Sequence, residues 1–188
     1  MHKKGGWALW VSIALAVVLF LGLFLYFALS GPDYGRYYKA LKDSGQIQDP
    51  AEGMSLEEAA AAFDERFVYY LLFSIEAYNL HNPPLSQDKP RILLLVGDKI
   101  FNAAIDSGKI IVGGGDITDE DVIIRTSTTE AVKMIKDRAY VTKSFENGGS
   151  SIELIAPKST LFGKGYLKLY ESINGKSITG SVIEIYLS

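Results

Sequence analysis

The chain has no cysteine among its 188 residues. That excludes disulfides, thiolate metal sites and a lipidated cysteine anchor. Histidine is almost as scarce. His2 lies in the N-terminal tail and His81 beside Asn82-Pro83-Pro84, too few and too far apart in sequence to suggest a site. A lone His in such a setting is more often a cap or a surface residue than a ligand. Basic excess is missing as well. All 22 acidic residues follow Ser30, together with all but Lys3 and Lys4 of the 19 Lys and Arg, so residues 31–188 carry 17 basic against 22 acidic groups, a net −5. A mildly acidic domain lacks the footprint of a nucleic-acid binder. There is no internal repeat, no low-complexity tract and no Asn-x-Ser/Thr glycosylation acceptor.

One local absence is more informative than these. Between Lys4 and Asp33 no residue is charged. The run Trp7–Phe27 is apolar on every helical face, and its 21 residues would span about 32 Å, the thickness of a hydrocarbon core. Trp7, Trp10, Tyr26 and Phe27 fall where interfacial aromatic belts lie. The expectation is a single-pass membrane anchor. A signal peptide ending at Ala28-Leu29-Ser30 is the competing reading, but its apolar region would be about 7–15 residues long. The Lys-Gly-Gly before the run also has the form of a prepilin-like leader. Lys3 and Lys4 precede the span, and Arg36, Lys39 and Lys42 follow it, so the positive-inside count discriminates little. A short basic tail left in the cytoplasm places the C-terminal domain outside.

The expected organisation is a tail at 1–6, a transmembrane helix at 7–29, a juxtamembrane stem and linker at 30–54, and one globular domain at 55–188. Gly31-Pro32 ends the membrane helix. Tyr34, Tyr37, Tyr38 and Leu41 then share a helical face, with Arg36, Lys39 and Lys42 on the others. This turn reads either as a solvated stem or as a basic, Tyr-rich segment in the headgroup layer. Ser44-Gly45 stops it, and the polar stretch to Met54 reads as a linker.

Ser55 and Glu58 have capping-box spacing, opening a long helix with Phe63, Phe67, Tyr70, Leu71, Ser74 and Tyr78 on one face. Asn82-Pro83-Pro84 ends it. Apolar runs at Arg91–Val96, Ile100–Ile105 and Ile110–Val112, separated by Gly97-Asp98 and by Asp106-Ser107-Gly108-Lys109, read as consecutive antiparallel strands. Val122–Thr126 is a fourth strand. Ser127 with Glu130 forms a second capping box, for a helix through about Asp137 with Ala131, Met134 and Ile135 on one face. After a loop or short helix at Tyr140–Phe145, Ser151–Ala156 gives a fifth strand. A last helix starts at Pro157 and is capped by Asn174-Gly175. Ser181–Leu187 alternates like a half-buried strand. The fold class is α+β, a mainly antiparallel or mixed sheet of five to six strands covered by helices on one face.

Catalytic and metal motifs are thin. Gly175-Lys176-Ser177 has Tyr170 where a P-loop needs its first glycine, and Thr118 replaces the third glycine of a dinucleotide fingerprint at Gly113-Gly114-Gly115. Ser86 and Lys89 match Ser-x-x-Lys by spacing alone, and no Gly-x-Ser-x-Gly occurs. The acidic set Asp116, Asp119, Glu120 and Asp121 lacks the spacing of a calcium loop and reads as a solvated turn. No enzyme, metal or cofactor is indicated.

What is abundant is apolar side chain on helices. Such stripes are more often core than pocket. The functional alternative is an apolar cavity between helices and sheet, lined by Phe67, Leu71, Met134, Ile135, Phe145, Phe162 and Tyr166.

Ile100-Phe-Asn-Ala-Ala-Ile105 with its turn into Ile110-Ile111-Val112, Asp121-Val-Ile-Ile-Arg-Thr-Ser127 running into a capped helix, and Phe145 followed by Gly148-Gly149 and a strand together resemble the sterol carrier protein 2 family of lipid-binding domains. The resemblance covers roughly Arg91 to Ile173. It implies a five-stranded mixed sheet with helices on one face, a hydrophobic tunnel between them, and non-catalytic binding or transfer of lipids. Pro157 and Ser159–Gly165 depart from the family's glycine-punctuated strand ending, and Tyr186-Leu187-Ser188 is not a peroxisomal address. The expected function is membrane-anchored binding of lipid or another apolar small molecule. The alternative is a tethered structural or interaction module with a membrane or surface protein partner, pilin-like subunits included.

Overall fold

The computed structural model describes residues 6–30, 34–83 and 86–174, and within the first stretch it describes side chains over 10–23. The Lys3-Lys4 tail, the Gly31-Pro32 stop, Pro84, Gly175-Lys176-Ser177 and the strand expected at 181–187 lie outside the described residues, as do the side chains of Trp7, Tyr26 and Phe27.

Helix α1 runs Gly6–Ser30, 25 residues without an acidic or basic end turn. Its backbone is about 37 Å long, while the part with described side chains covers about 21 Å. Among the described residues no helix is long and apolar enough to cross a membrane. Every described side chain from 10 to 23 is exposed, Trp10 by 70% and Phe20 by 73%.

Helix α2, Gly35–Asp43, begins five positions after Ser30 and ends just before Gly45 takes φ +73. It is no free stem. Tyr38 is buried, and Tyr34 and Leu41 pack against the core, leaving Tyr37 of the expected tyrosine face outside. The segment read as linker is packed too. Ile47 and Ala51 are buried, and the Lys136 ammonium donates to the carbonyls of Ala51 (3.3 Å) and Met54 (2.6 Å).

The single helix expected from Ser55 is two. The Ser55–Glu58 capping box starts α3, Leu56–Ala61, as its spacing predicts. A second cap then interrupts it: the Asp64 carboxylate accepts from Arg66 N at 2.9 Å and opens α4, Glu65–Ser74. An aspartate whose side chain satisfies the next turn's N–H competes with continuation of the helix. A 3₁₀ turn at Ala77–Asn79 follows, entered through Glu76 in the left-handed region (φ 63).

The strands are β1 Arg91–Val96, β2 Lys99–Asp106, β3 Lys109–Gly114, β4 Val122–Thr126 and β5 Ser150–Leu154. They form one mixed sheet in the order β3-β2-β1-β4-β5. β1 and β4 are parallel, with Ile92 opposite Val122 and Val96 opposite Thr126, and every other pair is antiparallel. The crossover from β3 to β4 passes the acidic loop, and that connection makes the parallel pair.

Register puts Ile110 and Val112, Phe101, Ala103 and Ile105, Ile92, Leu94 and Val96, Val122 and Ile124, and Ile152 on one face. Helices α4 and α5, Thr128–Lys136, pack with α3 to cover this face. The opposite face carries Ile100, Ile111, Arg125 and Glu153, all exposed. Helix α6, Tyr140–Glu146, lies against β5. The helix expected from Pro157 is again two, α7 Lys158–Gly163 and α8 Tyr166–Asn174, separated by Lys164 and by Gly165 at φ +83. The architecture is α+β with a five-stranded mixed sheet and helices.

Candidate functional site

The expected apolar lining divides in three. Phe67 and Leu71 on α4, and Met134 and Ile135 on α5, are buried together in one cluster over the sheet. The Phe67 ring stands 5.2 Å from Phe63, which in turn meets Phe101 of β2 at 6.1 Å. Tyr166 joins the same cluster from α8, and Phe145 packs against it half-buried from α6. Phe162 does not join. It projects from α7, 50% exposed, while its neighbour Leu161 turns inward. Leu154, Ile155 and Leu167 are exposed in the same segment, so residues 154–167 present four large apolar side chains to the outside.

Tyr166 does more than fill space. Its hydroxyl is 3.0 Å from Asp121 Oδ2 and 3.1 Å from the Arg91 carbonyl. Asp121 opens β4, and its carboxylate also accepts from Arg91 N at 2.7 Å and from the Lys164 ammonium at 2.8 Å. Lys164 is nearly sealed, and it donates besides to the Lys89 carbonyl (3.0 Å) and to Asp88 (2.8 Å). The carbonyl of Asp121 takes both Ile155 N and Ala156 N at 2.9 Å. Burial, aided by the Asp121 charge, pushes the Tyr166 phenol well above its usual range, so it stays a neutral donor. The hub fastens α7 and α8 to the starts of β1 and β4.

This corrects the reading of the acidic set as a solvated turn at Asp121, while Asp116 and Asp119 are exposed as expected. Asp121 is buried and paired, and Asp119 forms an ion pair with Arg91. A charged residue flanked by glycines between apolar positions, as Lys164 is, was the available signal. Its partner lies 43 positions away, beyond the reach of local pattern. His81 is likewise not a surface residue. It is buried, its Nδ1 3.0 Å from the Asn82 carbonyl.

A second polar group lies under α5. Ser127 caps the helix by accepting from Glu130 N, but the return half of the expected box is not made. The Glu130 carboxylate turns away to Lys133 (2.8 Å), Ser144 (2.9 Å) and Tyr140 (3.0 Å). Lys133 first, and the two hydroxyls after it, hold its pKa below the usual range. Ser144 continues to Ser150 and Thr126, tying α6 to β5 and β4. Among the described residues no hydroxyl of this network is hydrogen-bonded to a histidine. Among the described residues no group of three or more His, Asp and Glu is placed to hold a metal ion.

At the other end, α2 is latched to the sheet. The Tyr38 hydroxyl donates to the Gly108 carbonyl at 2.6 Å, and its ring stacks on Tyr78 at 4.5 Å, 15° from parallel. Gly108 is the left-handed glycine (φ +79) of the β2–β3 turn, and a Cβ there would run into the Tyr34 ring. Burial, with Tyr69 adding, raises the Tyr38 pKa to about 12. A cleft of about 100 Å³ lies between the 3₁₀ turn and α8, lined by Glu76, Asn79, Leu80, Gly165, Lys168 and Leu169. Small-molecule sites run to roughly 300–1,000 Å³.

No protein-family model matches the chain, and no curated protein matches it. Solved structures that align with it include the sterol carrier protein 2 domain of UbiJ, a ubiquinone synthesis protein, 12% identical over 44% of this chain and 70% of that one, with a TM-score of 0.32. Sterol carrier protein 2-like 2 from Aedes aegypti aligns at 12% identity over 47% of this chain and 86% of that one, TM-score 0.31. Sterol carrier protein 2 from Yarrowia lipolytica in its apo form aligns at 13% over 57% and 78%, TM-score 0.30. Likenesses this distant carry no argument about what this chain binds.

Proposed function

We propose that the chain is a single-pass, membrane-anchored domain that binds lipid or another apolar ligand without catalysing a reaction. The observation that carries the anchor is the stretch 10–23, exposed throughout and apolar save for Ser12 and Gly22. A helix hydrophobic all round is not stable in water, and an exposed surface of that size calls for lipid or a partner. The backbone of α1 has the length lipid requires. The ligand reading rests on the sequence resemblance between Arg91 and Ile173, on the helical layer over one sheet face, and on exposed Phe162 beside the buried cluster. The short N-terminal tail stays in the cytoplasm and the domain lies outside.

The sealed burial of Phe67, Leu71 and Met134 favours a second reading, a solidly packed interaction module with a protein partner. One experiment separates the two. The full chain is reconstituted in phospholipid nanodiscs, exposed to a photoactivatable fatty acid, and its crosslinked peptides are mapped by mass spectrometry. Adducts at Phe67, Met134, Phe145 or Phe162 support the ligand site. Adducts confined to α1 leave the packed module standing, and a chain that never enters the discs removes the anchor. Protease added to intact cells tests sidedness: complete protection reverses the orientation.

A further inference from the structure

We infer that the outward face of α2, together with Lys109, is a docking surface for anionic lipid headgroups and sets the orientation of the whole domain on the bilayer. The inference rests on α1 being the membrane anchor. Ser30 ends α1 and Tyr34 is already packed against the core, so four Cα–Cα steps separate them, at most about 15 Å. Whatever α2 presents outward is therefore held within headgroup reach of an anchored α1.

The docking of α2 decides which face that is. Tyr34, Tyr38 and Leu41 are spent on the domain. At 100° per residue the opposite arc holds Arg36, Lys39 and Asp43, with Lys42 and Tyr37 at its two borders. All five are exposed, Tyr37 by 61%. Lys42 lies 6.0 Å over the Phe73 ring, at the seam between helix and domain. The turn under Tyr34 adds exposed Lys109, while the nearby Asp106 carboxylate is engaged by Lys89 at 2.8 Å. This surface carries four basic groups, Arg36, Lys39, Lys42 and Lys109, against two acids, Asp43 and the Asp106 that also neighbours Lys109, in a domain whose net charge is −5. A net negative body with one basic face beside the bilayer is steered by anionic lipid, which draws in the basic side and repels the rest.

The docked helix changes the consequence. On a free stem, the same lysines would adsorb and leave the domain to tumble. Here the Tyr38–Gly108 bond and the Tyr38–Tyr78 stack make α2 part of the domain, so adsorption fixes the β2–β3 turn toward the membrane.

The test uses the full chain in nanodiscs of phosphatidylcholine alone and of phosphatidylcholine with phosphatidylglycerol. Amines are labelled with an acylating reagent and quantified by peptide, with exposed Lys143 and Lys158 as internal references. Lys39, Lys42 and Lys109 should label about fivefold more slowly in the anionic discs, as befits basic residues at such a surface. High salt should erase the difference, and the references should not change. In Lys39→Gln/Lys42→Gln, which alters exposed positions only, Lys109 should lose most of its salt-sensitive protection. Equal labelling in both discs overturns this inference and leaves the anchor intact. A chain that never enters either disc overturns the anchor, and this inference with it.

Discussion

Lys164 Nζ lies 2.8 Å from Asp121 Oδ1, with the two side chains 2% and 5% exposed. Removing one member of such a pair strands the other charge away from water, which costs about 3–5 kcal/mol. Lys164→Met should therefore lower stability by that amount in denaturant melts. Adding Asp121→Asn should recover a large part of the loss, because a neutral amide needs no counter-charge. A double variant as unstable as the sum of its singles would show that the pair is not coupled.

The Tyr38 latch predicts an alkaline limit. Below about pH 10 the phenol is protonated in both folded and unfolded chains. Between there and about 12 the unfolded chain gives up its proton while the folded one keeps it, so rising pH favours unfolding. Roughly 2 kcal/mol should be lost by pH 12. Tyr38→Phe should be less stable at neutral pH by about 1 kcal/mol, for the lost bond to the Gly108 carbonyl. The alkaline slope of that variant should be visibly shallower; an unchanged slope would assign the titration to other tyrosines.

Gly108→Ala attacks the same contact from the other side. An L-residue at φ +79 is strained, and the new methyl would occupy the Tyr34 ring position. Overpacking of this kind costs about 1–3 kcal/mol. Hydrogen exchange should then quicken first in α2, while the β1–β4 pair keeps its protection. Uniform loss of protection would mean that α2 and the sheet open as one unit.

Phe67 and Phe162 separate packing from ligand capture. Phe67→Ala should cost about 3–5 kcal/mol, because the ring is fully buried against Phe63. Phe162→Ala removes an exposed ring and should change stability by under about 0.5 kcal/mol. If Phe162 borders the entry for an apolar ligand, that variant should still reduce crosslinking by the photoactivatable fatty acid. Undiminished crosslinking would remove Phe162 from the site.

Chain order and local periodicity already determined the uncharged apolar helix α1, the capping box at Ser55, and all five described strands to within two residues of their ends. The β2–β3 turn was legible because Asp106-Ser107-Gly108-Lys109 carries its own backbone preference. Those features depend on neighbours along the chain. Local pattern failed wherever a distant group won a competition. Glu130 abandoned its capping box for Lys133, Tyr140 and Ser144, and Asp121 alone left the solvated acidic run, because Lys164 reached it. Helix α2 carried a tyrosine stripe that pattern alone could not assign to lipid headgroups or to a solvated stem. Tertiary packing assigned it, because Gly108 offers a bare carbonyl and a surface without a Cβ where two tyrosine rings fit. The same limit covers the apolar lining: periodicity marks Phe67, Leu71, Met134 and Ile135 as inward, but whether inward faces meet each other or enclose space depends on how closely two layers approach, a distance that no single strand or helix encodes.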